Sequence, residues 1–153
     1  METVSSGDVA QPLARYAPFR RAGDLVFFAG VVPADPATGR VVRGYEDLPD
    51  EVRRELGETG EMSVDSKDGP ILAQSWFVLD GLKRTVETAG GTLDDVVNLI
   101  QFFTDLRDFP LYNQVRGTFF PNPPASTCVR VVELLPTSES RLEVQAVAHI
   151  PAS

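Results

Sequence analysis

The sequence predicts an α+β domain in which two helices cover one face of a small mixed sheet. Two observations predict this class. Short extended runs alternate with two longer segments whose apolar residues recur every three or four positions, which is the spacing of an amphipathic helix. The elements follow the order β-β-α-β-α-β-β, and 153 residues without an internal repeat are enough for one such domain.

The first predicted element is a β-hairpin. Extended runs at 16–20 and 25–29 flank Gly23, a residue type that favours tight turns. A proline-rich loop at 32–42 follows the hairpin and ends in a short strand.

The domain is expected to occupy residues 14–153, after a flexible N-terminal lead-in at 1–13. An acidic insertion at 44–69 carries many charges and several glycines, with one short helix predicted at 50–56. Loops of this length without firm structure are uncommon in compact domains and tend to be lids or disordered segments. Two interpretations stay open, a solvated surface flap and a lid over a site, and the flap is the more common case.

The first main helix is predicted to begin at Gly69 and Pro70. A proline suits the first turn of a helix, because the N–H that it lacks would have no partner there. Apolar residues then form one stripe over 72–89, and the glycine pair at 90–91 ends the helix.

The strand predicted at 96–104 is apolar on both faces. In an antiparallel sheet one face usually meets solvent and is polar, so a strand of this kind implies cover on both sides. Two helices can cover only one face, and the chain is too short for a second sheet. We therefore expect another subunit to cover the other face.

The second main helix is predicted to begin after Asp108, which is a good N-cap residue, with Pro110 in its first turn. Pro121 ends it. Two final strands follow at 125–132 and 141–150.

The final two strands carry most of the polar residues of the predicted sheet. If they pair antiparallel, the register that keeps polar residues together places Arg130 opposite Glu143 and Cys128 opposite Gln145. With Ser126, these residues form a polar patch on the face that is expected to meet another subunit. The patch is therefore predicted to line an intersubunit cleft.

Composition restricts the location and partners of the chain. It is 42 % hydrophobic and 24 % charged, the balance of a soluble domain, and no stretch reaches the roughly 20 apolar residues of a membrane span. No secretory signal is visible and Cys128 has no disulfide partner, which favours a cytoplasmic location. The net charge of −8 argues against nucleic-acid binding, which depends on basic surface.

Each candidate residue also has a structural interpretation. Arg130 and Glu143 could form a simple cross-strand ion pair, and Cys128 could be a small core residue rather than a nucleophile. Gly30 could be a turn glycine or could allow close approach of a ligand. His149 is the single histidine, so neither a catalytic dyad nor a metal site is expected, and no cofactor is expected.

Several stretches together resemble the RidA/YjgF/UK114 family over residues 14–149, apart from the insertion. They are LVFFAGVVPADPATGRVV, ILAQSWFVLDGLKRTVETAGG, DDVVNLIQFFTDLRDFPLYNQVRGTFF, PPASTCVRV and RLEVQAVA. The resemblance implies a chorismate-mutase-like subunit, assembled as a homotrimer whose sheets form a central barrel. It also implies clefts for small molecules between the subunits.

Active members of that family hydrolyse imines and enamines to 2-keto acids and ammonia. In them an arginine clamps the substrate carboxylate and a later glutamate helps to orient water, and Glu143 matches that glutamate. From the resemblance and the polar patch together, the candidate substrate-binding residues are Tyr16, Gly30, Val31, Asn113, Thr127, Cys128 and Arg130.

This chain departs from the family at the clamping arginine, where it has Ser126. A guanidinium holds a carboxylate by charge and by two parallel hydrogen bonds, which one hydroxyl cannot reproduce. Arg130 lies four residues along the strand, roughly 13 Å away at about 3.3 Å per residue. We therefore expect weak activity on standard 2-imino acids.

The leading prediction is a homotrimer whose clefts bind or hydrolyse a small imine, enamine or carbonyl metabolite. Glu143 would orient water, and Ser126 or Thr127 would hydrogen-bond the substrate. A non-catalytic ligand-binding or regulatory protein on the same scaffold is the alternative. An endoribonuclease is a weaker one, because the chain is acidic and lacks a histidine pair for phosphodiester cleavage.

Overall fold

The computed structural model describes residues 14–153, and the lead-in predicted at 1–13 lies outside them. A five-stranded sheet has the order β1-β2-β5-β3-β4. The strands are β1 (Phe19–Ala22), β2 (Leu25–Phe28), β3 (Val96–Phe103), β4 (Ala125–Arg130) and β5 (Leu142–His149), and the helices are α1 (Asp50–Leu56), α2 (Met62–Thr88) and α3 (Phe109–Phe119). Only β3 and β4 pair in parallel, so the sheet is mixed, and the predicted α+β class is confirmed.

Strand β5 shows why one face of the sheet carries the core. Its side chains alternate between buried and more exposed, as the two-residue period of a strand requires. Leu142, Val144, Ala146 and Ala148 are at most 1 % exposed and join one core cluster with residues of α2 and α3. The two main helices therefore pack on this face, which we call the helix face.

The predicted start of the first main helix at Gly69 and Pro70 is wrong, because α2 begins at Met62 and holds the proline inside it. The carboxylate of Asp65 accepts hydrogen bonds from the backbone N–H groups of Thr59 and Gly60, at 2.9 and 2.8 Å. These bonds hold the turn that leads into the helix. A helix of 27 residues tolerates the loss of one internal hydrogen bond at a proline.

The acidic insertion is folded rather than open loop. It contains a 3₁₀ turn at Tyr45–Asp47, the helix α1 at its predicted bounds and the first two turns of α2. Tyr45 is only 4 % exposed, and its ring packs so closely on Gly69 that a Cβ there would lie 3.0 Å from the ring. Gly69 is therefore needed for packing and does not cap a helix.

The predicted role of Asp108 as an N-capping side chain is wrong. Asp108 precedes α3, but its carboxylate makes no cap hydrogen bond. It accepts instead from Nε and Nη2 of Arg141, at 3.0 and 2.6 Å, and is 7 % exposed. The pair ties the start of α3 to the start of β5.

The predicted pairing of the final two strands is also wrong. β4 pairs with β3 in parallel, and β3 separates it from β5. The helix α3 returns the chain to the side from which β3 began, and that is how parallel neighbours are connected. The segment at 131–141 then carries the chain past β3, which a tight hairpin could not do.

The sheet face opposite the helices carries several large apolar side chains beside polar ones such as Gln145 and His149, and no helix of residues 14–153 packs on it. We call it the open face. Leu25, Phe27 and Val129 on it are 40 %, 45 % and 37 % exposed, and Ile100, Phe102 and Val147 are half-buried. The two-sided apolar character predicted for β3 is thus present. Among residues 14–153, none of the helices combines the length and the apolar character that a membrane span requires.

Candidate functional site

The predicted site residues fall into two groups on different faces of the sheet. On β5, Glu143 lies opposite Phe102 and points to the open face. On β4, Ser126 and Cys128 lie opposite Leu99 and Gln101, both fully buried, and therefore belong to the helix face. The single polar patch predicted from a β4–β5 pairing does not exist.

The glutamate group consists of Gly30, Val31 and Glu143. Val31 exchanges two backbone hydrogen bonds with Val144 of β5, of 2.8 and 3.1 Å, which brings the end of the hairpin against that strand. A Cβ on Gly30 would lie 2.1 Å from Oε2 of Glu143. The missing side chain of Gly30 therefore makes room for the carboxylate of Glu143.

The Glu143 carboxylate is half-buried and has no hydrogen-bond or ion-pair partner among residues 14–153. Burial raises its pKa above the ordinary value, because the charged form is poorly solvated there. A carboxylate of this kind is available to bind water or a ligand group and to accept a proton.

The arginine group lies at the edge of the helix face and consists of Gln101, Asn113, Arg116 and Ser126, with Thr127 and Cys128 beside them. Gln101 is 0 % exposed, and its side-chain amide makes all four hydrogen bonds that it can make. Its Oε1 accepts from the Tyr112 hydroxyl and from Arg116, both at 2.7 Å. Its Nε2 donates to Ser126 Oγ at 2.9 Å and to the Thr127 carbonyl at 3.0 Å.

Arg116 is the cation of this group. Its Nη1 donates to Gln101 Oε1 and, at 2.8 Å, to Ser126 Oγ, and its Nη2 donates to Asn113 Oδ1 at 2.8 Å. The guanidinium carbon lies 5.5 and 5.6 Å from the ring centres of Phe109 and Tyr112, which is within the range of a cation–π contact. The Arg116 guanidinium, which comes from α3, therefore contacts Ser126, the residue that stands where the family has its clamping arginine.

Three further predicted residues lie on β4 or just before β1. Arg130 is exposed, and its Nε donates to the Thr104 carbonyl at 3.3 Å. Tyr16 is 46 % exposed and precedes β1. Thr127 points to the open face, opposite Ile100, and only its carbonyl joins the arginine group.

Gln101, Tyr112 and Arg116 are members of the arginine group that were not predicted from the sequence. Two signals could have indicated them: Gln101 is a polar residue on the face of β3 that carries the apolar residues Leu99 and Phe103, and Arg116 follows Asn113 by three residues on a helix, which places both on one side. Burial raises the pKa of Tyr112, so its hydroxyl stays protonated and donates. Within residues 14–153 no three His, Cys, Asp or Glu side chains are placed to hold a metal ion.

The mixed sheet, the two helices on one face and the polar groups at the sheet edge define a small α+β subunit of the chorismate-mutase-like class. A family model described as endoribonuclease L-PSP matches residues 56–150. The 3-aminoacrylate deaminase RutC of Acinetobacter baylyi is 30 % identical over 140 residues, covering 91 % of this chain and 90 % of that protein. The chain therefore belongs to the RidA/YjgF family, as the sequence predicted.

Solved structures agree with this assignment. A protein of Klebsiella pneumoniae, solved as a candidate endoribonuclease, is 50 % identical with a TM-score of 0.87, over 89 % of this chain and 100 % of that one. RidA of an Antarctic Psychrobacter species has a TM-score of 0.74 over 98 % of this chain and 100 % of its own, and at 24 % identity it supports the fold.

Proposed function

We propose that this chain hydrolyses a small imine or enamine metabolite in clefts formed between copies of itself. The unpartnered, half-buried carboxylate of Glu143 above Gly30 is the observation that carries the proposal. The similarity to a 3-aminoacrylate deaminase supports the reaction class, since that name describes the removal of nitrogen from a small enamine.

The separation of the two groups supports a site between subunits. Glu143 and Ser126 lie on strands that β3 separates, so about 10 Å of sheet, two strand spacings of roughly 4.8 Å, lies between them. Their side chains also belong to opposite faces. One small ligand can contact both groups only if the glutamate group of one subunit faces the arginine group of another.

The apolar open face supports the same assembly. Leu25, Phe27 and Val129 are large apolar side chains exposed on this face, and exposed apolar surface that is grouped in this way marks protein contacts. Copies of the chain that pack these faces together would form the trimeric barrel that the family resemblance implies.

In this site Glu143 acts on water. The carboxylate accepts a proton from a water molecule whose oxygen adds to the imine carbon, and it returns this proton to the nitrogen, which gives a neutral carbinolamine. Glu143 then moves the proton of the new hydroxyl to the nitrogen as the C–N bond breaks, so that ammonia leaves and a carbonyl product remains. An enamine enters the same sequence after protonation at carbon.

The test is the Glu143→Gln variant, with Glu133→Gln as the matched control because Glu133 is exposed in the segment after β4. Imines are generated in the assay from amino acids by an oxidase, and ammonia release and product binding are measured. We expect Glu143→Gln to lose about 10²-fold or more in turnover, the scale of general acid–base catalysis, while it keeps its affinity for the carbonyl product. Unchanged turnover in this variant would contradict the proposal, and wild-type binding without any turnover would favour the non-catalytic alternative.

A further inference from the structure

Arg116 is a half-buried cation without a carboxylate partner in the described part of the chain. Two other half-buried arginines differ in this respect. Arg141 makes a bidentate pair with Asp108, and Arg53 pairs with Glu58 at 2.8 Å. The contrast is notable in a chain that carries 22 acidic residues against 14 basic ones, because buried charges are ordinarily paired.

Only neutral groups hold the guanidinium. Three of its five N–H donors go to amide and hydroxyl oxygens of Gln101, Asn113 and Ser126. The Nε–H and one Nη2–H have no acceptor among residues 14–153. These contacts fix the orientation of the guanidinium and leave its charge uncompensated.

Ser126 adds a further donor at the same place. Its Oγ accepts from Gln101 Nε2 and from Arg116 Nη1, which occupies both acceptor positions of a hydroxyl. Its own O–H is therefore left to donate, and the residue is exposed. A positive charge and a hydroxyl donor thus meet at one surface position.

We infer that Arg116 and Ser126 together form an oxyanion site that binds the carboxylate of the substrate. This inference rests on the proposed function for the identity of the substrate and adds its class, a small 2-imino or 2-keto acid rather than a neutral imine. The sequence predicted weak activity on 2-imino acids because Ser126 replaces the clamping arginine of β4. In the inferred site Arg116 of α3 supplies the positive charge instead. Gln101 and Asn113 are positioning residues, since their side-chain oxygens accept from the guanidinium and fix its orientation.

Equilibrium binding of two probes tests the inference separately from turnover. Pyruvate carries a carboxylate, and pyruvamide has the same shape without the charge. For Arg116→Gln we expect pyruvate affinity to fall about tenfold or more, the value of a hydrogen bond to a charged group, and pyruvamide affinity to stay within about twofold. Arg54→Gln is the matched control, because Arg54 is exposed on α1, and it should leave both affinities unchanged.

A second variant covers the case in which Arg116→Gln does not fold. Ser126→Ala alters an exposed position and should weaken pyruvate by about threefold or more, with pyruvamide affected less. Equal loss of both probes in these variants, or unchanged pyruvate affinity, would overturn the inference. Inorganic phosphate is titrated in parallel, and phosphate binding tighter than pyruvate with the same Arg116 dependence would overturn the carboxylate assignment.

The two proposals fail independently. If Glu143→Gln keeps full turnover but Arg116→Gln loses pyruvate, the carboxylate site stands and the proposed role of Glu143 does not. If Glu143→Gln loses turnover but Arg116→Gln binds pyruvate as the wild type does, the hydrolysis stands and the oxyanion site does not.

Discussion

Gln101 is fully buried, and its hydrogen bonds fix the positions of Arg116 and Ser126 at the surface of the arginine group. Its carbonyl oxygen receives two donors and its amide nitrogen gives two hydrogen bonds, so the side chain has one orientation. A buried polar group left unsatisfied costs about 1–3 kcal/mol, which is why its partners are held in place. The position of Arg116 therefore follows from a residue in the core of the sheet.

The raised pKa of Glu143 predicts that the free energy of unfolding depends on pH. Its pKa is raised in the folded state by burial, so the folded state binds the proton more tightly than the unfolded chain. Ionised Glu143 therefore lowers the free energy of unfolding above its folded pKa, and this penalty is relieved as the pH falls from the folded pKa to the lower, unfolded one. We expect Glu143→Gln to melt at a higher temperature than the wild type at pH 7 and at about the same temperature near pH 4.

Thermal unfolding at the two pH values measures this difference, with Glu133→Gln as a control that should follow the wild type at both. A Glu143→Gln variant that is less stable than the wild type at pH 7 would contradict the assigned effect of burial on the carboxyl.

At the scale of elements, the Asp108–Arg141 pair joins α3 to β5, and so joins the helix that carries Arg116 to the strand that carries Glu143. The Asp108 side chain is 10 % exposed and that of Arg141 is 33 % exposed. Removal of one partner leaves the other charge poorly solvated. The pair is therefore a contact between the two parts of the fold that hold the site.

We expect Asp108→Asn to lower the free energy of unfolding by about 3 kcal/mol, the lower end for a broken buried pair, because Arg141 keeps some contact with water. Urea unfolding measures the change. Asp80→Asn is the control, since its pair with Arg84 lies on the surface of α2 with the Arg84 side chain 58 % exposed, and it should cost no more than about 0.5 kcal/mol. Equal effects in the two variants would show that burial of the Asp108 pair is unimportant.

At the scale of the whole molecule, the subunit leaves large apolar side chains exposed on the open face and divides its polar groups between the two faces. Both features have the same consequence. A copy of the chain that covers the open face removes apolar surface from water, and it can bring a second set of polar groups to the glutamate group. Assembly and activity are therefore expected to depend on each other.

Phe27→Asp tests this dependence, because Phe27 is 45 % exposed on the open face and is not needed to fill the core. We expect the variant to fold, to sediment as a monomer and to lose turnover, since a buried charge opposes the contact between subunits. Met62→Asp is the control, with Met62 84 % exposed at the start of α2, and it should sediment as the wild type does. A Phe27→Asp variant that remains assembled would contradict the proposed interface.

The local pattern of the sequence was sufficient for the order of strands and helices, for the helix at Asp50–Leu56 and for the two-sided apolar strand. These features depend on residues close together in the chain, whose periodicity records which side is buried. The start of α2 was missed because Pro70, a residue typical of a first turn, lies inside the helix. The family was also predictable, because its motifs are short and contiguous.

Only the tertiary structure decided which residues form the site. Strand pairing is a long-range choice, and the placement of β3 between β4 and β5 moved Ser126 to the face opposite Glu143. Arg116 met Ser126 because α3 packs against the sheet edge where β4 lies, a contact that no spacing along the chain records. A one-dimensional pattern specifies the face that a residue prefers, whereas the neighbour that it meets there depends on how distant segments pack.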